Sequence, residues 1–480
     1  MKIRNPRTGE LDYQIQPMDA QDVAAAAARL RTNQPAWAAM PIAERSAIML
    51  RWADAIEKHA GAIIEQLTID TGRAGISAME VGGVPGTIRR WAAQAPDIIA
   101  NHSPMDVPSS NPTIVNSTRL VPFPLFGAIA PWNFPMTLST IDAIPALFAG
   151  CAALIKPSEI TPRFVEPLKA SIAEVPELAK ILEIIVGDAA TGQALVANVD
   201  YVCFTGSVAT GRKVAVAAAE AFIPANLELG GKDPMLILAS ADPVEAAKTA
   251  LRASILATGQ ACQSIERLYI ARPIYDKFLE TLVAEAEKVR LNYPDINQGE
   301  IGPFIFAPQG QKIAEQLAEA ESKGARILTG GTVEILGGGT YLRPTVLADV
   351  TPDMAVVRDE SFGPVLPVIP FDDVGNAIAQ ANDSIYGLSA AVLAGTAEEA
   401  EKVGARLEAG AISINDGSMT AMVWDAENSS FKMSGMGPSR MGESGITRFF
   451  RKQAFMRQTA EPARIQDFSE DKFAALRKGA

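Results

Sequence analysis

The chain has 480 residues, 48% hydrophobic and 20% charged, so it carries enough apolar surface for more than one compact core and is not a disordered chain. Its 43 basic and 55 acidic residues leave a formal net charge of −12, which repels phosphate backbones and argues against a nucleic-acid partner. Three cysteines are too few for a disulfide scaffold and odd in number, and the charged amino terminus lacks a secretory pattern, so a reducing compartment, the cytoplasm, is expected.

In chain order, helical periodicity covers residues 20–32 and 43–70, with Gly72 as a stop, and continues more weakly over 80–99. A Ser-, Pro- and Asn-rich stretch at 101–116 reads as an excursion or linker. The uncharged stretch 120–141 could span a bilayer by length, but Pro122, Pro124, Pro131 and Pro135 make it buried strand and loop, and no membrane contact is expected. Short apolar runs at 127–130, 152–156, 181–186 and 201–204 then alternate with helical ones at 162–173, 190–197 and 211–221. Such alternation marks βαβ units around a parallel sheet, the class to which dinucleotide-binding folds belong. A run at 234–238 leads into a helix starting at Asp242, with Pro243 at its first position and Glu245 available for a capping box, running toward Gln260. A second α/β series follows, with strands at 267–271, 327–328, 388–393 and 411–415 and helices at 275–289, 310–322, 375–382 and from Thr396 to Gly410. The charged end of the chain reads as a loosely held tail.

His59 and His102 are the only histidines, so a three-histidine zinc site is impossible; both fall where surface residues are expected, and no metal site is foreseen. Cys151 and Cys203 lie in apolar runs, which leaves Cys262, in Gly259-Gln-Ala-Cys-Gln-Ser264, as the thiol best placed to react if donors or a base help it ionise. Four other segments hold chemistry-bearing residues, each with a plain structural alternative. Thr205-Gly206-Ser207 breaks a strand into a helix, either to meet a phosphate or as an ordinary corner. Lys156-Pro-Ser158-Glu159 either contacts ribose hydroxyls at a strand end or is a solvated loop. Glu228-Leu229-Gly-Gly231 offers a general base or an exposed loop glutamate, and Pro131-Trp132-Asn133-Phe-Pro135 offers a rigid amide donor for an oxyanion or a turn asparagine.

Together, Pro131-Trp-Asn-Phe-Pro135, Lys156-Pro-Ser-Glu159, Phe204-Thr-Gly-Ser207, Glu228-Leu-Gly-Gly231, Gly259-Gln-Ala-Cys262 and Glu360-Ser-Phe-Gly-Pro364, in that order, resemble the aldehyde dehydrogenase superfamily, from Asn5 to about Phe455. The resemblance implies an α/β fold: a Rossmann-type cofactor domain at 1–103 and 123–230, an α/β catalytic domain at 231–440, a small β oligomerisation element from 104–122 and 441–462, and a tail at 463–480. It casts Cys262 as nucleophile, Asn133 with the Cys262 backbone N–H as oxyanion hole, and Glu228 as the base that hydrolyses a thioester formed through a thiohemiacetal. It makes Lys156 and Glu159 the adenosine-ribose contacts, Trp132 and Ser207 the pyrophosphate contacts, and Glu360 with Phe362 the nicotinamide-side contacts. Ser158, Gly206, Gly211 and Leu229 complete the implied cofactor-binding set. A carboxylate at Glu159 repels a 2′-phosphate, so NAD is favoured over NADP.

In such a fold Leu138, Ile141, Ala261, Gln263 and the loop 416–431 shape the substrate tunnel, and most of these positions are apolar, which favours an apolar or aromatic aldehyde. No arginine in these segments is placed to grip a substrate carboxylate, which argues against a semialdehyde. A semialdehyde-specific dehydrogenase, a non-catalytic cofactor-binding descendant and a thiol esterase are the alternatives. Candidate strands at 113–121 and 449–459 would expose edges if left alone, so a homodimer or homotetramer is expected.

Overall fold

The structure, a computed structural model, describes residues 1–477; residues 478–480 of the expected tail lie outside it. Three long helices open the fold, Ala20–Ala39, Ile42–Thr71 and Ala74–Asn101. Asp19 caps the first by accepting from the Asp22 N–H, and Gly72 ends the second at φ 67°, where its lack of a Cβ removes the penalty of the left-handed turn. Trp52, Ile56, Ile63 and Leu67 on one face of the second helix, with Val81 and Ile88 on the third, join Phe126, Leu154 and Val202 in one buried cluster.

Behind these helices lies a sheet ordered Gly435–Met436, Ala225–Glu228, Tyr201–Thr205, Leu125–Ile129, Ala152–Lys156, Leu182–Ile184, parallel except for the first strand. Helices Pro135–Thr140 and Ala143–Ala149, then Val165–Ala173, Ala189–Val196 and Val208–Glu220, lie in its crossovers. The central strands are buried from end to end, which is why they read as continuous apolar runs rather than alternating ones. The chain winds one way from Leu125–Ile129 and the other way from Tyr201–Thr205, so a crevice opens between the carboxyl ends of these neighbours.

A second sheet runs Arg326–Thr329, Thr345–Ala348, Val365–Phe371, Ile265–Ala271, Asp233–Ile237, Ser389–Leu393, Ala411–Ile414, again parallel but for its first strand. Its buried side chains form clusters separate from that of the first sheet. A third, antiparallel sheet pairs Phe450–Gln458 with Ile114–Pro122 over nine residues, and Ile114–Pro122 with Val107–Pro108. Phe450–Gln458 is its long edge strand, with Phe455 and Met456 exposed.

Three expectations change. The helix begun at Asp242 covers Pro243–Ile255 and does not reach Gln260, because Ala257, Thr258 and Gly259 take left-handed φ values of 56°, 63° and 67° and reverse the chain. The Thr396-capped helix is Ala397–Gly404, shorter than the run to Gly410. The stretch 120–141 adds a helix, Pro135–Thr140, to strand and loop. Among the described residues no helix is long and apolar enough to cross a membrane.

Candidate active site

At the carboxyl ends of the first sheet lies a cleft of 1250 Å³, bounded on its other side by loops and a helix that adjoin the second. Trp132 and Asn133 follow one strand into it, Lys156, Ser158 and Glu159 a second, Gly206 and Ser207 a third, and Glu228 and Leu229 a fourth. Cys262, Glu360 and Phe362 face them across the opening. Of the residues assigned from sequence to catalysis or cofactor binding, only Gly211 does not line the cleft: a Cβ there would lie 2.5 Å from Leu229, so it acts by letting the Val208–Glu220 helix approach that side chain. Of the expected substrate-tunnel positions Leu138 lines the cleft, whereas Ile141, Ala261, Gln263 and the described residues of the loop 416–431 do not.

The left-handed reversal after Ile255 aims the cysteine loop. A Cβ on Gly259 would stand 2.5 Å from the Gly363 backbone, so no other residue fits. The loop is pinned by Thr258 Oγ1, which accepts from Gly302 N at 3.0 Å, and by Gln260, whose amide donates to Pro303 O at 3.1 Å and accepts from Ile305 N at 3.0 Å. Asn133 is buried and donates from Nδ2 to Gln260 O at 3.0 Å, which leaves its second N–H for a ligand. Arg73, at the start of the third helix, joins the two loops by donating to the carbonyls of Asn133 and, at 3.3 Å, Ala257. Burial lowers the Arg73 pKa to about 10, so the guanidinium stays charged near neutrality.

Cys262 is half-buried. Burial, and after it the Asp233 and Glu228 carboxylates, push its thiol up to about 12, so the thiol is the resting form and a base must take its proton. Cys151 and Cys203 are fully enclosed, and burial likewise raises both thiols; neither reaches the cleft.

Glu228 ends the Ala225–Glu228 strand. Its Oε2 accepts from Ser430 Oγ at 3.1 Å, and its Oε1 lies 3.9 Å from Arg440 Nε. Glu360 accepts from Gly231 N at 3.1 Å, and burial followed by the charge of Glu266 raises it to about 7. Phe362 stands edge-on to Trp132 at 5.4 Å, and Phe306 lies 6.2 Å from the same indole, forming an aromatic wall. The Phe362 turn, at φ 54°, is held by buried Glu266, which accepts from Ser361 N at 2.7 Å, Phe362 N at 2.8 Å and Lys232 Nζ at 2.7 Å. At the far end Lys156 pairs with Glu159 at 3.1 Å, and Ser207 caps the Val208–Glu220 helix by accepting from Thr210 N at 3.3 Å.

His59 and His102 lie outside the cleft, on Glu174 and Glu443. Sequence reasoning missed Arg73, Glu266, Ser430 and Arg440. Each acts across a large sequence separation, so no local spacing could have found its role; Ser430 lies in the loop 416–431 already singled out, and Lys232 beside Gly230-Gly231, but neither was given a part in the site.

The donor set fits a dinucleotide. A strand-end cation and carboxylate stand at one end, a capped helix start in the middle and an aromatic wall beside the thiol, at a topological switch point in a parallel sheet. Comparison with known proteins agrees. The model of the "Aldehyde dehydrogenase family" matches residues 1–455. A provisionally named NADP-linked succinate-semialdehyde dehydrogenase of Mycolicibacterium smegmatis is 36% identical over 90% of this chain and 84% of its own. The structure of a provisionally assigned aldehyde dehydrogenase, PutA, from Anabaena variabilis superposes with a TM-score of 0.94 at 46% identity, covering 97% of this chain and 98% of that one. A betaine aldehyde dehydrogenase from Staphylococcus aureus, solved in complex with NAD+, gives 0.90 at 28% identity, covering 98% and 93%. This chain belongs to the aldehyde dehydrogenase family, oxidoreductases that use a cysteine and a nicotinamide cofactor to oxidise an aldehyde.

Proposed function

We propose that this enzyme oxidises an apolar or aromatic aldehyde to the carboxylic acid, with NAD preferred over NADP. The convergence of Cys262, Asn133 and Glu228 on one cleft carries the reading. Once its proton has passed to solvent base, the Cys262 thiolate adds to the aldehyde carbonyl, and the free N–H of Asn133 with the Cys262 backbone N–H takes up the negative charge that develops on oxygen. When bound, the nicotinamide supplies a hydride acceptor, and loss of hydride from the thiohemiacetal leaves a thioester on Cys262. Glu228 then removes a proton from the water that adds to the thioester, and Cys262 leaves as thiolate while the acid departs. Lys156, Ser158 and Glu159 would hold the adenosine ribose, Trp132, Gly206 and Ser207 the pyrophosphate, and Leu229, Glu360 and Phe362 the nicotinamide side. Gly211 would serve through the packing of Leu229.

Two observations bear on the finer choices. If Glu159 contacts the adenosine ribose, its carboxylate would repel a 2′-phosphate, which supports NAD even though the Mycolicibacterium relative bears an NADP-linked name. Leu138 lines the cleft beside Asn133, and no arginine occurs at 134–141, 256–263 or 416–431, which supports an apolar substrate over a semialdehyde. The separate hydrophobic clusters support a cofactor domain at 1–103 and 123–230 and a catalytic domain at 231–440. The exposed edge strand Phe450–Gln458 supports self-association through 104–122 and 441–462, as a homodimer or homotetramer. Three unpaired cysteines suit the cytoplasm.

The test is reduced-cofactor formation with NAD and with NADP across short aliphatic, long aliphatic, aromatic and carboxylate-bearing aldehydes, with Cys262→Ala alongside. Turnover of apolar aldehydes, faster with NAD and absent in the variant, is expected. A clear preference for a carboxylate-bearing aldehyde, or for NADP, would overturn the corresponding part.

A further inference from the structure

We infer that Arg440 is a positioning residue for hydrolysis: a buried guanidinium that orients the Glu228 carboxylate toward the thioester. The inference rests on reading Glu228 as the hydrolytic base. Arg440 lies in the segment that follows strand Gly435–Met436, which pairs directly with the Glu228 strand, Gly435 opposite Glu228. Its Nη2 donates to Asp142 Oδ2 at 3.0 Å and to Thr205 Oγ1 at 2.9 Å, and Thr205 is the partner of Glu228 on the adjoining strand. The guanidinium is therefore fixed to the framework that carries Glu228.

The charge count of this cluster is unbalanced without Glu228. Arg448 is buried and donates to the other oxygen of Asp142, so two enclosed cations share one enclosed carboxylate. Buried charge without a counter-charge is expensive, and Glu228 is the anion that completes the set. Arg440 Nε makes no hydrogen bond, although it is buried and stands 3.9 Å from Glu228 Oε1. That separation is too long for a hydrogen bond yet close enough for strong attraction. A direct bidentate pair would hold the carboxylate against Arg440. The open Nε, with Ser430 on the other oxygen, steers Glu228 while leaving it free to turn toward the cleft. The other ionisable groups whose charges bear on this site are Cys203 and Tyr201 on the adjoining strand and Cys262 across the cleft.

The test separates the first turnover, which forms the thioester, from steady-state turnover, which requires hydrolysis. Stopped-flow NADH formation is followed with NAD and an active aldehyde in Arg440→Gln, Arg440→Lys, Glu228→Gln and the double variant Arg440→Gln/Glu228→Gln. Arg440→Gln is expected to keep its first-turnover rate within about twofold while kcat falls roughly 10- to 100-fold, a part of what a positioned general base supplies. Arg440→Lys should recover a measurable part of kcat. In the Glu228→Gln background Arg440→Gln should lower kcat no further, since the group it orients is gone. An equal loss of first-turnover rate and kcat would mark Arg440 as merely structural. An unchanged kcat, or the same fold-loss with and without Glu228, would also overturn the inference. Wild-type turnover in Glu228→Gln would instead overturn the reading of Glu228 itself, whatever the Arg440 variants do.

Discussion

The Glu266 and Lys232 pair offers a test of how the cofactor side of the cleft is built. The two groups are 1% and 3% exposed for Lys232 and Glu266, at 2.7 Å, and the Glu266 oxygens also accept from the N–H groups of Ser361 and Phe362. Glu266→Gln replaces one acceptor oxygen by an amide NH2. In either orientation that NH2 meets a donor: Phe362 N–H on one side, or Ser361 N–H and the Lys232 ammonium on the other. It also leaves the Lys232 charge opposite a neutral group, with Ser361 Oγ at 3.1 Å its remaining side-chain partner. Breaking a buried pair in this way costs about 3–5 kcal/mol. The first urea transition, followed by tryptophan fluorescence, should shift accordingly. NAD binding should weaken as well, because the turn that aims Phe362 at Trp132 loses an anchor. Lys232→Met/Glu266→Gln removes the stranded charge and should recover at least half of the loss. A single variant within about 0.5 kcal/mol of wild type, or a double variant as unstable as the sum of the singles, would refute the reasoning.

Four further outcomes follow from the geometry. With its thiol raised to about 12, Cys262 in the cofactor-free enzyme should react with iodoacetamide about tenfold faster per pH unit between roughly pH 7 and 9; a plateau below about pH 8 would show an activated resting thiolate. Glu159→Gln removes the carboxylate paired with Lys156, so the NADP-to-NAD ratio of kcat/KM should rise at least about tenfold, and an unchanged ratio would remove Glu159 from cofactor choice. Asn133→Ala should lower kcat about 100- to 1000-fold with little change in cofactor binding, as loss of an oxyanion donor does. Gly259→Ala forces a Cβ to 2.5 Å from the Gly363 backbone, so both stability and activity should fall, read by thermal unfolding and steady-state rate.

Much of the first sheet could be read from sequence because its strands are buried on both faces and end in turn residues: the run 152–156 matches the strand Ala152–Lys156, and 201–204 differs from Tyr201–Thr205 by one residue. Val365–Phe371, a central strand of the second sheet, escaped because Pro367 and Pro370 argue against a strand interior. Here each proline forfeits a single ladder donor within a seven-residue strand paired on both sides. Ala225–Glu228 escaped because four residues ending in a glutamate carry no apolar period. The reversal at 257–259 was hidden because Ala257 and Thr258 rarely adopt positive φ, and tertiary bonds of Thr258, Gln260 and Arg73 hold it. The cleft residues of the first sheet stood out because they lie at or just past strand ends, whereas Arg73 and Arg440 are defined only by what folds against them.

The central claim, oxidation through a thioester on Cys262 that Glu228 hydrolyses, is tested most directly by trapping that thioester. Glu228→Gln is mixed with NAD and an apolar aldehyde, quenched in acid and read by peptide mass spectrometry. The account predicts one acyl group on the peptide carrying Cys262, formed only when NAD is present and absent when Cys262 is also replaced by Ala. An acyl group on another residue, or continued NADH production with no acyl group on Cys262, would contradict it.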